Sequence, residues 1–348
     1  MDRTEHFRSV MRRYGEPLAS DSVHPDTYAG FEEFRATFRR ILDAPSLSSR
    51  EVHCDWLDNT AFNALATLNG KGEFIGVFAG CALHIYNYFL TFLSDPGVLK
   101  LVGDPRLEEP DQNAILGLQS GVVLPQFLPR NPRDPERLRA AQHLAWNAVI
   151  FLFFHELGHL ALCHLRLLKD EVGATEYLEL PAANLSEEEA HLRVLLEIDA
   201  DQSAAVNSLR YWREMWNRKS FPALIQLGVD ASWSMSIAML FRIMDGFKAG
   251  LPEPHYTTHP PPMARYIHIV SLGAQPNTPH FYGDEEVSLN SFQEISAWWK
   301  ANKLPISAGA HGVGEDVISE LNTRRRELSE KYADRLGIYQ EERRLKMR

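Results

Sequence analysis

The sequence predicts a mainly α-helical protein with room for a small sheet, and three observations carry that expectation. Asp134 followed by Pro135 reads as an N-cap and a first helical position, and no proline interrupts the chain from there to Lys169. Ser186 and Glu189 form a capping box ahead of good helix formers that run to about Arg210. A stretch rich in Met, Ile, Leu and Trp from about Ala223 to Phe247, and a mixed-charge stretch from about Glu315 onward, add two further helices.

In chain order, residues 1–50 read as short helices joined by turns, with Asp21, Ser22, Pro25 and Gly30 as punctuation. Asn69-Gly70-Lys71-Gly72 marks a turn, and the apolar run from Phe74 to Leu93 that follows it reads as a buried helix. The Gly-Lys-Gly is not a phosphate-binding loop, because the Lys-Ser/Thr pair and the first glycine are missing. From Asp95 to Pro135 the chain is rich in proline and should be mostly irregular, with one short strand expected at Gly121 to Leu124. This border separates an N-terminal portion, 1–130, from a core, 131–275, which is followed by a C-terminal helical extension, 276–348. Within the core, Trp146 to Leu162 is apolar on nearly every face, as a helix in the centre of a protein should be.

Composition narrows the function. A chain of 348 residues that is 45% hydrophobic can bury a substantial core without staples. Its three cysteines, Cys54, Cys81 and Cys163, are too scattered for a disulfide framework or a CxxC metal site, which points to a reducing compartment. The first fifteen residues carry four arginines and no apolar signal region, so a cytoplasmic location is expected. A net charge of -10 offers nothing to a nucleic-acid backbone. His84 and Asn87 in one apolar run, and Asn147, His155, Glu156 and His159 in the other, argue against membrane insertion.

The chemistry lies in the second apolar run, where His155, Glu156, Leu157, Gly158 and His159 form an HExxH sequence. Four residues apart on a helix, the histidines point the same way and can share one zinc ion, with Glu156 beside them as a general base. The bland reading is a pair of core histidines. It is weakened because burying two histidines and a glutamate without a partner or a metal costs on the order of several kcal/mol. A catalytic zinc takes three protein ligands and keeps one position open for water, and Glu197 on the next helix is the expected third. Asp201, one turn later on the same face, is placed to accept the free ring N–H of a ligand histidine, with His155 the expected donor. Asp199 is the competing ligand, but it lies about 200° around the helix from Glu197. His164 would sit roughly 140° around from His159, so it reads as a surface or hydrogen-bonded histidine.

The order HExxH, then Glu197-Ile-Asp-Ala-Asp201, then Thr258-His259-Pro260 with Arg265 six residues after the histidine, resembles two related groups of peptidases. One is the M48 family, which includes membrane-bound CaaX-processing and quality-control enzymes; the other is the Lit-like phage-exclusion peptidases of family U49. The central position of HExxH and the lack of multiple spanning segments fit the Lit-like group better. The resemblance covers about 155 to 270. It implies a gluzincin core, in which the HExxH helix packs on the glutamate-bearing helix, and a zinc-dependent endopeptidase acting on an intracellular protein in phage exclusion. It also implies that His259 stabilises the oxyanion of a tetrahedral intermediate, and that Arg265 pairs with a site carboxylate such as Asp201 or with the substrate. From the residues alone, Thr258-His259-Pro260 is a turn before a helix and Arg265 an ordinary surface arginine.

Two other readings stay open. One is a non-catalytic zinc-binding sensor or interaction module, against which Glu156 argues, since a purely structural site has no use for a carboxylate beside its first ligand. The other is a membrane-associated peptidase whose apolar segments insert. A serine or cysteine hydrolase is disfavoured: no GxSxG surrounds any serine, and Cys163 and His164 as helix neighbours would not face each other.

Overall fold

The computed structural model describes residues 3–43, 52–69, 72–109, 130–178, 185–249, 259–273, 285–302, 304, 306 and 315–346. Helices dominate, accompanied by one small mixed sheet. In chain order they are α1 (Arg3–Met11), α2 (Pro25–Leu42), β1 (Val52–Leu57), β2 (Ala64–Asn69), β3 (Gly72–Phe78), α3 (Ala79–Leu93), α4 (Pro135–Ala161), α5 (His164–Val172), β4 (Glu176–Leu178), α6 (Glu187–Arg218), α7 (Val229–Ala249), α8 (Pro262–Gly273), α9 (Glu285–Ala301) and α10 (Glu315–Lys346).

The sheet runs β1-β3-β2-β4, with β1 parallel to β3 and the other two pairings antiparallel. Its two faces follow the period-2 rule. Leu57, Leu65, Phe74 and Phe78 point to one side, where Phe7 and Met11 of α1 cover them. Trp56, Ala64, Ala66, Ile75 and Val77 point to the other and join the main core with α2, α3, α4 and α7. All three expected portions of the chain contribute to that core.

The apolar run from Phe74 to Leu93 is therefore not one helix. Its first residues, Phe-Ile-Gly-Val-Phe, alternate between the two faces of β3, and the helix begins only at Ala79. A continuous apolar run reads equally as buried strand or buried helix, and here the need to cover α1 decides it. At the switch, Gly80 lies so close to the chain that an added Cβ would stand 2.1 Å from the Thr60 carbonyl oxygen. Up to Lys169 the sequence allows one long or one gently broken helix, and it is broken: α4 ends at Ala161, and Cys163 takes a left-handed conformation with φ 63° before α5 begins. Helix α6 runs past Arg210 to Arg218, and the strand expected at Gly121 to Leu124 falls outside the described residues.

Helix α4 is the axis of the fold. Asp134 caps it as the sequence suggested, accepting from the backbone N–H groups of Glu136 and Arg137. It packs on α6, where Gly158 faces Ala200 and Ser203 with room for a methyl group in ordinary contact, 3.5 Å from each. Among the described residues α4 alone is long and apolar enough to cross a membrane, and most of its apolar window is buried inside the protein.

The start of α4 is held by Arg137, a fully buried arginine. Its guanidinium donates to the carbonyls of Leu93, Asp95, Val98, Leu99 and Val102, closing the end of α3 and the loop after it onto α4. Glu108 lies 3.7 Å from the same side chain and accepts from the backbone of Arg133 and Asp134. Replacing Arg137 with methionine keeps the volume but removes every one of these donors and leaves Glu108 uncompensated. We expect Arg137→Met to lower stability by about 3–5 kcal/mol in urea denaturation.

Candidate metal centre

Three elements meet at one point: α4 brings His155, Glu156 and His159, α6 brings Glu197 and Asp201, and the entry to α8 brings His259 followed by Arg265. None of these seven side chains is more than 3% exposed. His155 and His159 stand one turn apart on α4 with their Nε2 atoms 3.0 Å from each other. Glu197 Oε1 closes the triangle, 3.6 Å from His155 Nε2 and 3.4 Å from His159 Nε2.

That triangle is the size a metal requires. Bonds of about 2.0–2.1 Å in a tetrahedron place neighbouring donor atoms about 3.3 Å apart, which the three edges bracket. The donor set fits as well: two imidazoles and one carboxylate, all buried, converge within 4.8 Å of one another and can hold a metal ion. Burial holds His159 well below the usual histidine range, so its ring is neutral and free to ligate. Burial alone would raise the Glu197 carboxyl; His259, Arg265 and His155 outweigh it and keep that group ionised, well below the usual carboxylate range. Cys54 on β1 marks the neighbourhood of Glu156: burial first, then the carboxylates of Asp55 and Glu156, push its thiol well up.

Around the triangle, each polar side chain is tied to another. His155 turns its Nδ1 to Asp201 Oδ1 at 3.0 Å, the partner expected from the one-turn spacing of Glu197 and Asp201. Arg265 grips Asp201 with two bonds, Nε to Oδ2 at 2.7 Å and Nη2 to Oδ1 at 2.8 Å. The same Nη2 reaches Glu197 Oε2 at 2.9 Å. His259 Nε2 lies 3.2 Å from Glu197 Oε1 but stands outside the converging group of three. Thr258 falls outside the described residues.

The second histidine has surroundings that the sequence did not reveal. Tyr177 of β4 stacks on the His159 ring with centroids 3.9 Å apart, and its hydroxyl is anchored on the Arg193 carbonyl at 2.6 Å. His159 Nδ1 faces His164 Nδ1 at 3.1 Å, and His164 Nε2 faces Asp199 Oδ2 at 3.1 Å. His164 is thus wholly buried rather than a surface residue. Of the two readings the sequence left for it, the hydrogen-bonded one holds, and the break at Cys163 brings it there by turning His164 onto His159. Asp199 points away from Glu197, as its position on the helix demands, and into this contact. No glycine or asparagine at 163 signals a left-handed turn, so nothing in the sequence announces the pair.

Comparison of the chain with protein-family profiles, with curated proteins and with solved structures finds no match.

Two buried carboxylates share one cation here, and both titrate lower folded than unfolded. Asp201 is held down against burial by the charge and hydrogen bonds of Arg265, then by His155. The stability they confer is complete above the unfolded carboxyl range, about pH 4, and is lost as pH falls through the folded values. Arg265→Met removes the cation, and we expect stability at pH 7 to drop by roughly 3–5 kcal/mol. Denaturation curves taken from pH 7 downward should show that deficit disappearing only below about pH 4, as the wild-type carboxyls titrate through their lowered folded values.

Proposed function

We propose that this protein is a zinc-dependent endopeptidase with a gluzincin centre, in which His155, His159 and Glu197 hold the metal and Glu156 is the general base. The observation that carries the reading is the buried triangle of two imidazole nitrogens and one carboxylate oxygen, with edges of 3.0, 3.4 and 3.6 Å, on two helices packed side by side. Two histidines and a carboxylate with a position left for water are the ligand set of hydrolytic zinc. A zinc ion bound there would supply Lewis acidity towards a peptide carbonyl and lower the pKa of a water molecule.

The remaining work falls to the side chains. Glu156, beside the first ligand on α4, takes a proton from the attacking water and returns it to the leaving amine. His259, beside Glu197 and outside the ligand group, is placed to donate to the developing oxyanion. Asp201 holds the His155 ring with its Nε2 lone pair towards the metal, and Arg265 holds Asp201. The substrate fits an extended peptide: β4 is the edge strand, it adjoins the centre through Tyr177, and among the described residues only β2 pairs with it. That the peptide belongs to an intracellular protein, and that its cleavage serves phage exclusion, rests on the resemblance of the three motifs to the Lit-like peptidases.

Metal analysis and cleavage test the reading together. Purified wild type should carry about one zinc per chain, Glu197→Ala should lose it, and Glu156→Gln should keep it. Labelling of new N-termini in a cell lysate should show cleavage products with wild type that are absent with Glu156→Gln. Wild type that carries no zinc, or Glu156→Gln that cleaves as wild type does, sinks the proposal.

A further inference from the structure

His164 and Asp199 belong neither to the ligand triangle nor to the reaction just described, yet the fold goes to some length to bring them to it. Cys163 adopts a left-handed conformation, φ 63° and ψ 26°, which is unfavourable for a residue with a side chain. The turn delivers His164 to a fully buried position between His159 and Asp199. Helix α5, which begins at His164, is then fastened to α10: Tyr339 donates to Asp170 at 2.6 Å, and Arg335 pairs with Glu171.

The contacts are satisfied by one arrangement of protons that leaves the triangle open. Asp199 is an acceptor only, so the His164 nitrogen facing it, Nε2, carries a hydrogen. With His164 as a neutral ring its lone pair lies on Nδ1, and the nitrogen facing that lone pair, Nδ1 of His159, is then the donor. His159 is left with its lone pair on Nε2, the atom that faces His155 Nε2 and Glu197 Oε1. The reverse arrangement would put a hydrogen between His159 and His155 and close the triangle to any metal. Tyr177, stacked on the ring, restrains its angle, so the task left to His164 and Asp199 is to set the tautomer.

We propose that His164 and Asp199 are positioning residues for the second metal ligand: an imidazole and a carboxylate in series hold His159 as its Nδ1–H tautomer, with Nε2 ready to bind. This rests on the reading of His155, His159 and Glu197 as ligands. The two histidines are thereby served unequally. Asp201 acts on His155 directly and is buried, whereas Asp199 acts on His159 through a second ring from a side chain 31% exposed. That exposure makes Asp199→Ala the variant least disturbing to the fold.

The test uses the full-length chain with two readings. Long-range proton–nitrogen NMR of the metal-free wild type should show His164 protonated on Nε2 and bare on Nδ1, with His159 protonated on Nδ1, and Asp199→Ala should convert His164 to a mixture of tautomers. Competition with a chromophoric chelator should show zinc binding weakened about tenfold in Asp199→Ala, at least as much in His164→Ala, and largely restored in Asp199→Asn, which keeps an acceptor oxygen. Unchanged melting of metal-free Asp199→Ala would separate this effect from loss of fold. Wild type that binds no zinc overturns the metal reading and the positioning role with it. Wild type that binds zinc while Asp199→Ala binds it equally well, or His164 found protonated on Nδ1, overturns the relay alone.

Discussion

Glu197 and Asp201 are two ionised carboxylates one helical turn apart, both sealed from water, and the architecture around α4 follows from making that arrangement stable. Burial by itself would drive both to their neutral forms. Arg265 supplies the cation, reaching Asp201 through two bonds and Glu197 through one. The cation is in turn desolvated, which is tolerable because its plane meets carboxylate oxygens and its flat face lies over the Phe241 ring at 5.1 Å. Both carboxylates and the His155 ring are therefore held by something else polar, and the apolar helices around them keep the local dielectric low enough for those pairings to be strong.

This constraint explains why so apolar a helix can carry so polar a motif. Over Trp146 to Leu162, α4 is surrounded by α3, α6, α7 and the sheet, so an unmatched histidine anywhere in it would be costly. Each of the two histidines instead ends in a carboxylate, His155 at Asp201 and His159, by way of His164, at Asp199. Both carboxylates come from α6, two residues apart and on opposite sides of it. One helix thus supplies the central carboxylate, Glu197, and the outer partner of each histidine. The alternation Glu197-Ile-Asp199-Ala-Asp201 has this use: Ile198 packs against α8 and α10, Ala200 faces Gly158 of α4, and the acidic positions fan out to three destinations.

What the sequence made legible was whatever depends on helical spacing. Two histidines four apart must share a face, Glu197 and Asp201 four apart must share another, and Asp199 between them must point away; all three statements describe the coordinates. The pairing of Arg265 with Asp201 was one of three alternatives, beside the substrate and an ordinary surface position, since spacing says nothing about which distant group a long side chain reaches. Features that depend on tertiary demand were not legible. Phe74 to Phe78 became strand because α1 requires a cover, and β4 is three residues long, too short to carry a pattern of its own. His164 escaped because its position depends on the left-handed Cys163, a conformation that local sequence does not favour and that only the packing of α5 imposes.

That packing leads to α10, a helix whose polar sequence gives it little reason to fold alone. It is fastened along its length to every element that carries the centre. Leu321 joins Val194 and Ile198 of α6 and Ala264 of α8, and Asn322 meets His268 of α8 at 3.3 Å. Glu327 meets His191 of α6 at 3.0 Å, and further on Arg343 reaches the Leu160 carbonyl at the end of α4 and Glu73 of β3. Carbonyls at a helix end need donors, and α4 receives one from the far end of the chain. A group that could hold a metal ion tolerates errors of only about half an ångström, and the residues around it here are spread from His155 to Arg265. One rigid helix laid across α4, α5, α6 and α8 sets their mutual register in a way that loops could not. The coupling runs both ways: whatever binds the assembled triangle stabilises the docked form of α10, by the same linkage that makes α10 stabilise the triangle.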